Sequence, residues 1–215
     1  MIKEDFVQNP NLRLLQDYDR YTMTSDTLHL AKFMNIRKSD LVLDVGTNNG
    51  VLALIAQTYT RKSVIGLDID TSAIQLAKEN AIINDLSCQF LVSRVQDYES
   101  INAFDVIVCN PPYFIANSDF ENVMDFDGEL NLEDLANVSF RLLKDKGRVY
   151  IILKTHRLMD AINTFAKYKF NCKRLQMIHH SITHPASSVC IEFSKNGKSH
   201  LVVESPILNQ KELSK

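Results

Sequence analysis

The chain of 215 residues contains four cysteines, Cys88, Cys109, Cys172 and Cys190, and no Cys-x-x-Cys pair. Wide spacing of this kind argues against a cysteine metal site or a disulfide framework. Cys88, Cys109 and Cys190 lie in apolar, strand-like runs, which predicts buried free thiols in a reducing, cytoplasmic setting. No apolar run approaches the ~20 residues of a membrane span, so no membrane partner is expected. Met1-Ile2-Lys3-Glu4-Asp5 offers no apolar signal core. Low-complexity tracts and internal repeats are missing, which excludes a solenoid. Lysine and arginine are absent from positions 95–140, where ten acidic residues occur.

The next stretch reverses that balance. Positions 141–184 hold ten Lys and Arg against Asp145 and Asp160, a local balance of +8, with four of the six histidines. One reading is a solvated surface that averages out in three dimensions. The other is a basic face for a polyanion. The overall charge of −2 argues only weakly against nucleic acid. His179, His180 and His184 lack a cysteine or carboxylate at ligand spacing, so they read as surface or polyanion-facing residues and no metal is expected.

With 45% hydrophobic and 23% charged residues, the chain suits one globular domain over 1–215. Residues 1–22 read as an irregular arm and 209–215 as a tail. Ser25 or Asp26 is placed to cap a helix running to about Met34. Leu41 to Val45 reads as a buried strand, Val51 to Gln57 as a helix, Val64 to Asp68 as a strand, and Ser72 to Ile83 as a helix, with Ser72 and Gln75 at capping-box spacing. Asp70 reads as a helix-start residue. Further strands are expected over Cys88 to Val92 and Phe104 to Cys109. Asn131 is placed to cap a helix with a stripe of Leu132, Leu135, Val138 and Leu142, ended by Gly147. A strand over Val149 to Leu153 follows, then a helix carrying Leu158, Ile162 and Phe165. Three more apolar runs, around Leu175, Ile191 and Val202, look like strands, with Gly197 marking a hairpin between the last two. The expected fold class is α/β: three layers around a mostly parallel seven-stranded sheet with a C-terminal antiparallel hairpin.

Two loops carry the chemistry. The first is Asp44-x-Gly46-x-Asn48-x-Gly50, a glycine-bearing turn between strand and helix that lets backbone approach a ligand closely. Asp68 closes the next strand, 18 positions after Gly50. That spacing suits a carboxylate accepting both ribose hydroxyls of an adenosine cofactor. The second is Asn110-Pro111-Pro112-Tyr113, directly after a buried strand. Proline cannot continue a sheet ladder, so these residues form a rigid elbow at the carboxyl edge, where α/β sheets bind ligands. Carbonyl oxygens there suit the two hydrogens of a planar amine, and the ring suits the group that bears it.

The first loop resembles the S-adenosylmethionine-binding motif of Rossmann-like methyltransferases, with Asp44 near the methionine end and Asn48 in place of a glycine. That resemblance implies a cofactor set of Asp44, Gly46, Thr47, Asn48, Gly50, Asp68, Ile69, Val95 and Asn110. The elbow resembles the catalytic motif of amino-methyltransferases acting on adenine N6, cytosine N4 or glutamine. It implies that Asn110 and the Pro111 carbonyl accept the amine hydrogens, with Pro112 shaping the elbow and Tyr113, joined by Phe114, stacking on the base. Across residues 12–208, Asp26 to Phe33, Leu43 to Thr47, Asn110 to Phe114, Leu142 to Arg148 and Ile191 to Lys198 occur in order. This is similar to the bacterial family that methylates N6 of the adenine at position 37 of a valine tRNA. The resemblance implies tRNA as partner, met by Lys144, Lys146, Arg148, Arg157, Lys167, Lys169, Lys173 and Arg174. Release-factor glutamine methyltransferases share the elbow but carry a long helical domain ahead of the cofactor loop, whereas 43 residues precede Asp44 here. The same chemistry on rRNA, DNA or glutamine, and a non-catalytic RNA-binding relic, are the alternatives. One position departs from the family: Arg94 stands where an acidic residue meets the cofactor's adenine, leaving that contact to the Val95 backbone or Asp97. A second lies in the acidic 115–130 loop, at Phe126 to Leu130, which would repel a phosphate backbone.

Overall fold

A computed structural model of the chain describes residues 1–19, 22–111 and 130–209. The first correction to the sequence expectation comes at once. Residues 1–22 are not an irregular arm. β1 (Ile2–Val7) and β2 (Leu12–Asp17) form an antiparallel hairpin, with Ile2 opposite Asp17 and Val7 opposite Leu12. Alternation along β2 buries Leu12 and Leu14. The free edge of β2 is closed by asparagine side chains of a helix, α3 (Thr71–Ile83) and its C-cap. Asn80 accepts from the Leu15 amide at 2.6 Å and donates to the Leu15 carbonyl at 3.0 Å. Asn84, one turn on, does the same for Arg13 at 2.9 and 2.7 Å. Two side-chain amides thereby take the place of a third strand.

The remaining elements make three layers. Among the described residues, a central sheet of nine strands runs in the order β10, β8, β9, β7, β6, β3, β4, β5, with β11 also on β8. Its parallel part is β3 (Val42–Val45), β4 (Ile65–Asp68), β6 (Phe104–Cys109) and β7 (Leu143–Lys154), with β5 (Gln89–Val92) at the edge beside β4. β8 (Phe170–His179) and β9 (Ala186–Lys195) add antiparallel pairs. β3 to β9 overlap the expected strand runs from Leu41 to Ile191. β10 (Val202–Val203) and β11 (Ile207–Leu208) are two-residue additions at the edge. One face is covered by the hairpin, α1 (Ser25–Phe33), α2 (Val51–Gln57) and α3. The other is covered by α4 (Leu132–Leu142) and α5 (Leu158–Lys167). Central strands buried on both faces are continuously apolar, which is why Val106, Ile107 and Val108 are wholly inaccessible. Among the described residues no helix is long and apolar enough to cross a membrane.

Local details differ from expectation for identifiable reasons. Thr24, not Ser25 or Asp26, caps α1, because it exchanges hydrogen bonds with Thr27 in a capping box. Ser72 is not a cap: the Asp70 carboxylate accepts from the Ser72 and Ala73 amides and starts α3 itself. Asn131 caps α4 as expected. Gly147 does not end that helix but lies inside β7. The turn at Gly197 does not fold β10 back onto β9. The hairpin is β8–β9, closed through residues 180–185, and β10 crosses over to pair in parallel with β8.

Candidate active site

In the sheet order, β3 stands between β4 and β6, so the chain turns opposite ways on its two sides. This is the switch point at which α/β sheets leave a crevice. A cavity of about 840 Å³ opens there, lined from the carboxyl ends of β3, β4, β5 and β6. The described parts of every predicted loop meet in it: Gly46, Thr47 and Asn48, then Asp68 and Ile69, then Val95, then Asn110 and Pro111. Ile2, Asp17, Met23 and Thr27 wall it on the side of the hairpin and α1.

The loop after β3 is held in an unusual backbone shape. Gly46, Asn48 and Gly50 have φ of +69°, +49° and +85°. That left-handed region suits glycine, and asparagine tolerates it better than most residues. A Cβ at Gly46 would meet no atom of the described residues within 4 Å, so its missing side chain is open cavity. One at Gly50 would meet the Phe90 ring at 2.8 Å, so that glycine serves packing.

Asp44 is 1% exposed. Its Oδ2 accepts from the Thr47 hydroxyl at 2.6 Å and the Ala53 amide at 3.1 Å. Its Oδ1 is buried without a hydrogen-bond partner among the described residues. Burial lifts its pKa to about 7, opposed by those hydrogen bonds and reinforced slightly by Asp68. An unpaired, desolvated carboxylate oxygen beside an open loop fits a cationic ligand group such as the ammonium of S-adenosylmethionine. Asp68 accepts from the Asn48 amide at 2.8 Å and the Asp70 amide at 3.0 Å, one bond to each oxygen. Each oxygen therefore keeps a lone pair for a ribose hydroxyl. Ile69, 48% exposed, offers the cavity an apolar surface, and Val95 begins a single 3-10 turn, Val95–Asp97. Arg94 is exposed at the rim of the same cavity.

At the elbow, Asn110 Nδ2 donates to Thr27 Oγ1 at 2.9 Å. Its Oδ1 is buried and has no hydrogen-bond partner among the described residues. Thr27 thus fixes the amide so that it presents an acceptor, the orientation that amine recognition needs. Pro111 is buried against the same cavity. Pro112, Tyr113 and Phe114, and the acidic loop up to 129, lie outside the described residues.

Sequence reasoning missed four contributors. Thr27 orients Asn110. Gln16 Oε1 accepts from the Met23 amide at 2.6 Å and ties the hairpin to α1. Asn80 donates to the Asn49 carbonyl at 2.9 Å and joins α3 to the cofactor loop. Arg141 gathers the carbonyls after β5. No motif betrays them, because each acts across the fold.

The expected basic path is corrected. Arg148 is buried, paired with Asp40 and donating to the Asn35 carbonyl. Arg174 pairs with Glu192 at 2.5 Å and Glu204 at 3.3 Å, over the Phe33 ring. Arg148 serves the interior, and Arg174, half-buried, is held by its two carboxylates. Lys144, Lys146, Lys169 and Lys173 lie toward the amino ends of β7 and β8, away from the edge that carries Asn110. Lys154, His156, Arg157 and the β8–β9 turn with His180 and His184 are on the carboxyl edge.

Comparison with known proteins gives the family and the fold. The family described as "Methyltransferase small domain" matches residues 22–176. The release factor glutamine methyltransferase of Lactococcus lactis subsp. lactis is 30% identical over 173 residues, 74% of this chain and 63% of that one. The tRNA1(Val) (adenine(37)-N6)-methyltransferase of Dyadobacter fermentans is 26% identical over 200 residues, 90% of this chain and 83% of that one. Among solved structures, the predicted O-methyltransferase Atu636 from Agrobacterium tumefaciens superposes with a TM-score of 0.69 at 15% identity, over 86% of this chain and 88% of that one. The Pyrococcus abyssi tRNA (uracil-54, C5)-methyltransferase in complex with S-adenosyl-L-homocysteine gives 0.66 at 14% identity, over 89% of this chain and 44% of that one. A switch-point cavity built from a left-handed glycine loop, a ribose-ready carboxylate and an amide acceptor thus stands in a chain that belongs to the methyltransferase small domain family, among the S-adenosylmethionine-dependent methyltransferases.

Proposed function

We propose that this protein methylates the exocyclic N6 of an adenine in tRNA, at position 37 beside the anticodon of a valine tRNA. The observation that carries the reading is the buried Asn110 Oδ1, unpartnered among the described residues and held as an acceptor by Thr27 at the cavity's edge. An exocyclic amine has two N–H donors; Asn110 Oδ1 takes one and the Pro111 carbonyl takes the other. So held, the nitrogen lone pair is turned toward the cofactor loop. S-adenosylmethionine, when bound, would supply a methyl group on a positively charged sulfur, open to attack by that lone pair, with the C–S bond broken and its electrons left on the neutral thioether of S-adenosylhomocysteine. Asn110 Oδ1 keeps hold of one N–H as the nitrogen becomes acidic, and that proton then leaves to water. Positioning carries much of the rate, and no strong base is required.

A glutamine side chain offers the same two N–H donors, and the 30% identity to a release factor glutamine methyltransferase favours that second reading. Support for tRNA comes from the longer match, 200 residues against 173, and the larger share of the relative spanned, 83% against 63%. His156, His180 and His184, on the same edge as Asn110, offer ring N–H donors to the phosphates of an RNA loop, whereas Lys154 and Arg157 there are paired with Asp26 and Asp160. Purified protein, labelled S-adenosylmethionine, a valine tRNA transcript and a release factor separate the readings. Label in the tRNA, lost when adenine 37 is replaced by guanine, is the expected result. Label in the release factor alone would refute it.

A further inference from the structure

Arg141 ends the last turn of α4, on the layer opposite the cofactor loop. Its side chain does not face solvent as a helix-terminal arginine usually does. Nη1 donates to the Tyr98 carbonyl at 2.7 Å and the Ser100 carbonyl at 3.1 Å. Nη2 donates to the Gln96 carbonyl at 3.1 Å and the Val95 carbonyl at 3.4 Å. Its own carbonyl accepts from the Asn102 amide at 3.0 Å. One residue thereby ties residues 95 to 102 of the connection from β5 to β6.

That connection contains the Val95–Asp97 turn, which lines the cavity through Val95 and Gln96. The turn's own bonds, from the Asp97 amide to the Arg94 carbonyl at 3.2 Å and from the Tyr98 amide to the Val95 carbonyl at 3.3 Å, act with Arg141 to set where Val95 and Gln96 stand along the cavity wall. Asp68 ends the neighbouring strand β4, so a ribose held there would set its purine against this turn. A planar guanidinium is the side chain able to hold four carbonyls at fixed angles.

We propose that Arg141 is a positioning residue for the cofactor: by fixing the 95–100 turn it sets affinity for the adenosine end. The proposal rests on the S-adenosylmethionine reading of the cavity. It accounts for an arginine whose donors are aimed at backbone rather than at RNA, and it removes one cation from the basic stretch after residue 140.

The test uses calorimetry with S-adenosylhomocysteine and with 5′-methylthioadenosine, which lacks the amino-acid end, on the full chain. Arg141→Gln should weaken both ligands by the same factor, roughly tenfold to hundredfold, since several charge-assisted hydrogen bonds are lost. KM for S-adenosylmethionine should rise by that factor while kcat falls much less. Arg141→Lys, which keeps the charge but not the fork, should recover part of the affinity. A merely structural role would instead lower kcat and RNA affinity in step, and that result would overturn the proposal. Unchanged binding of 5′-methylthioadenosine by either variant would also overturn it. If Arg141→Gln does not fold, Arg141→Lys decides alone by the same criterion. Wild-type protein that binds neither ligand would overturn the cofactor reading itself, a distinguishable failure.

Discussion

Replacing Asp44 by asparagine tests the electrostatics of the cofactor loop most directly. The carboxyl is 1% exposed and its pKa is lifted from 3.8 to about 7 by burial. At ~1.4 kcal/mol per pKa unit, keeping it ionised in the cofactor-free protein costs on the order of 4 kcal/mol. The sign follows from which state binds the proton more tightly. The folded state does, so the group's contribution to stability is fully present below 3.8 and is lost as pH rises through about 7. The amide of the Asp44→Asn variant would keep the acceptor for Thr47 and Ala53 and place an uncharged NH2 at the orphan position, much as the protonated acid does. Cofactor-free Asp44→Asn should therefore match wild type in stability near pH 4. It should gain on wild type as pH rises, by roughly 3 kcal/mol between pH 5 and pH 8. Urea denaturation of both proteins across that range measures the difference, and the other carboxylates cancel. The same change should weaken S-adenosylhomocysteine about tenfold to hundredfold at pH 8, because a charge-assisted hydrogen bond to the ligand's ammonium is lost. Wild-type affinity should itself fall as pH drops below 7, when Asp44 takes up a proton. A stability difference that does not vary with pH, or a variant that binds the ligand as wild type does, would refute the reasoning.

Three further outcomes are expected. Asn110→Ala should abolish methyl transfer, at least ~100-fold in kcat, while calorimetry finds S-adenosylhomocysteine affinity within about threefold of wild type; surviving activity would remove Asn110 from the acceptor site. Gly66→Ala would place a Cβ 2.6 Å from the Phe90 ring and 2.7 Å from Thr47 Oγ1, and should cost ~1–3 kcal/mol in urea denaturation. Asn80→Ala removes the side chain that binds both Leu15 peptide groups and the Asn49 carbonyl. It should cost ~2–4 kcal/mol and speed hydrogen exchange selectively in the amides of β1 and β2, and uniform protection there would show that apolar packing alone holds the hairpin.

Much of the central fold is legible from local pattern. α2 begins and ends where the run from Val51 to Gln57 predicts. β6 coincides with the run from Phe104 to Cys109, and Asp70 and Asn131 start their helices. These signals are strong because buried parallel strands must be apolar throughout and caps need particular side chains. The N-terminal hairpin was illegible because its third neighbour is not a strand. Asn80 and Asn84 complete the ladder from 65 and 71 residues away, and no propensity of residues 1–22 encodes that. The cap of α1 was displaced because Thr24 competes with Ser25 and Asp26, and reciprocity with Thr27 decides.

Sequence by itself determined the left-handed loop at Gly46 to Gly50, the carboxylate at the end of β4 and the placing of Asn110 at the carboxyl edge of the sheet. Each is a short-range demand on backbone shape or chemistry, met by a few residue types at close spacing. Tertiary structure alone decided which face of the Asn110 amide is presented, because Thr27 reaches it across 83 positions. It also decided the fate of the basic stretch. Arg148 meets Asp40 across 108 positions and Arg141 meets Gln96 across 45, so cations that read as an RNA path are drawn inward. Charge counted along a chain has no direction; strand register and burial assign it one.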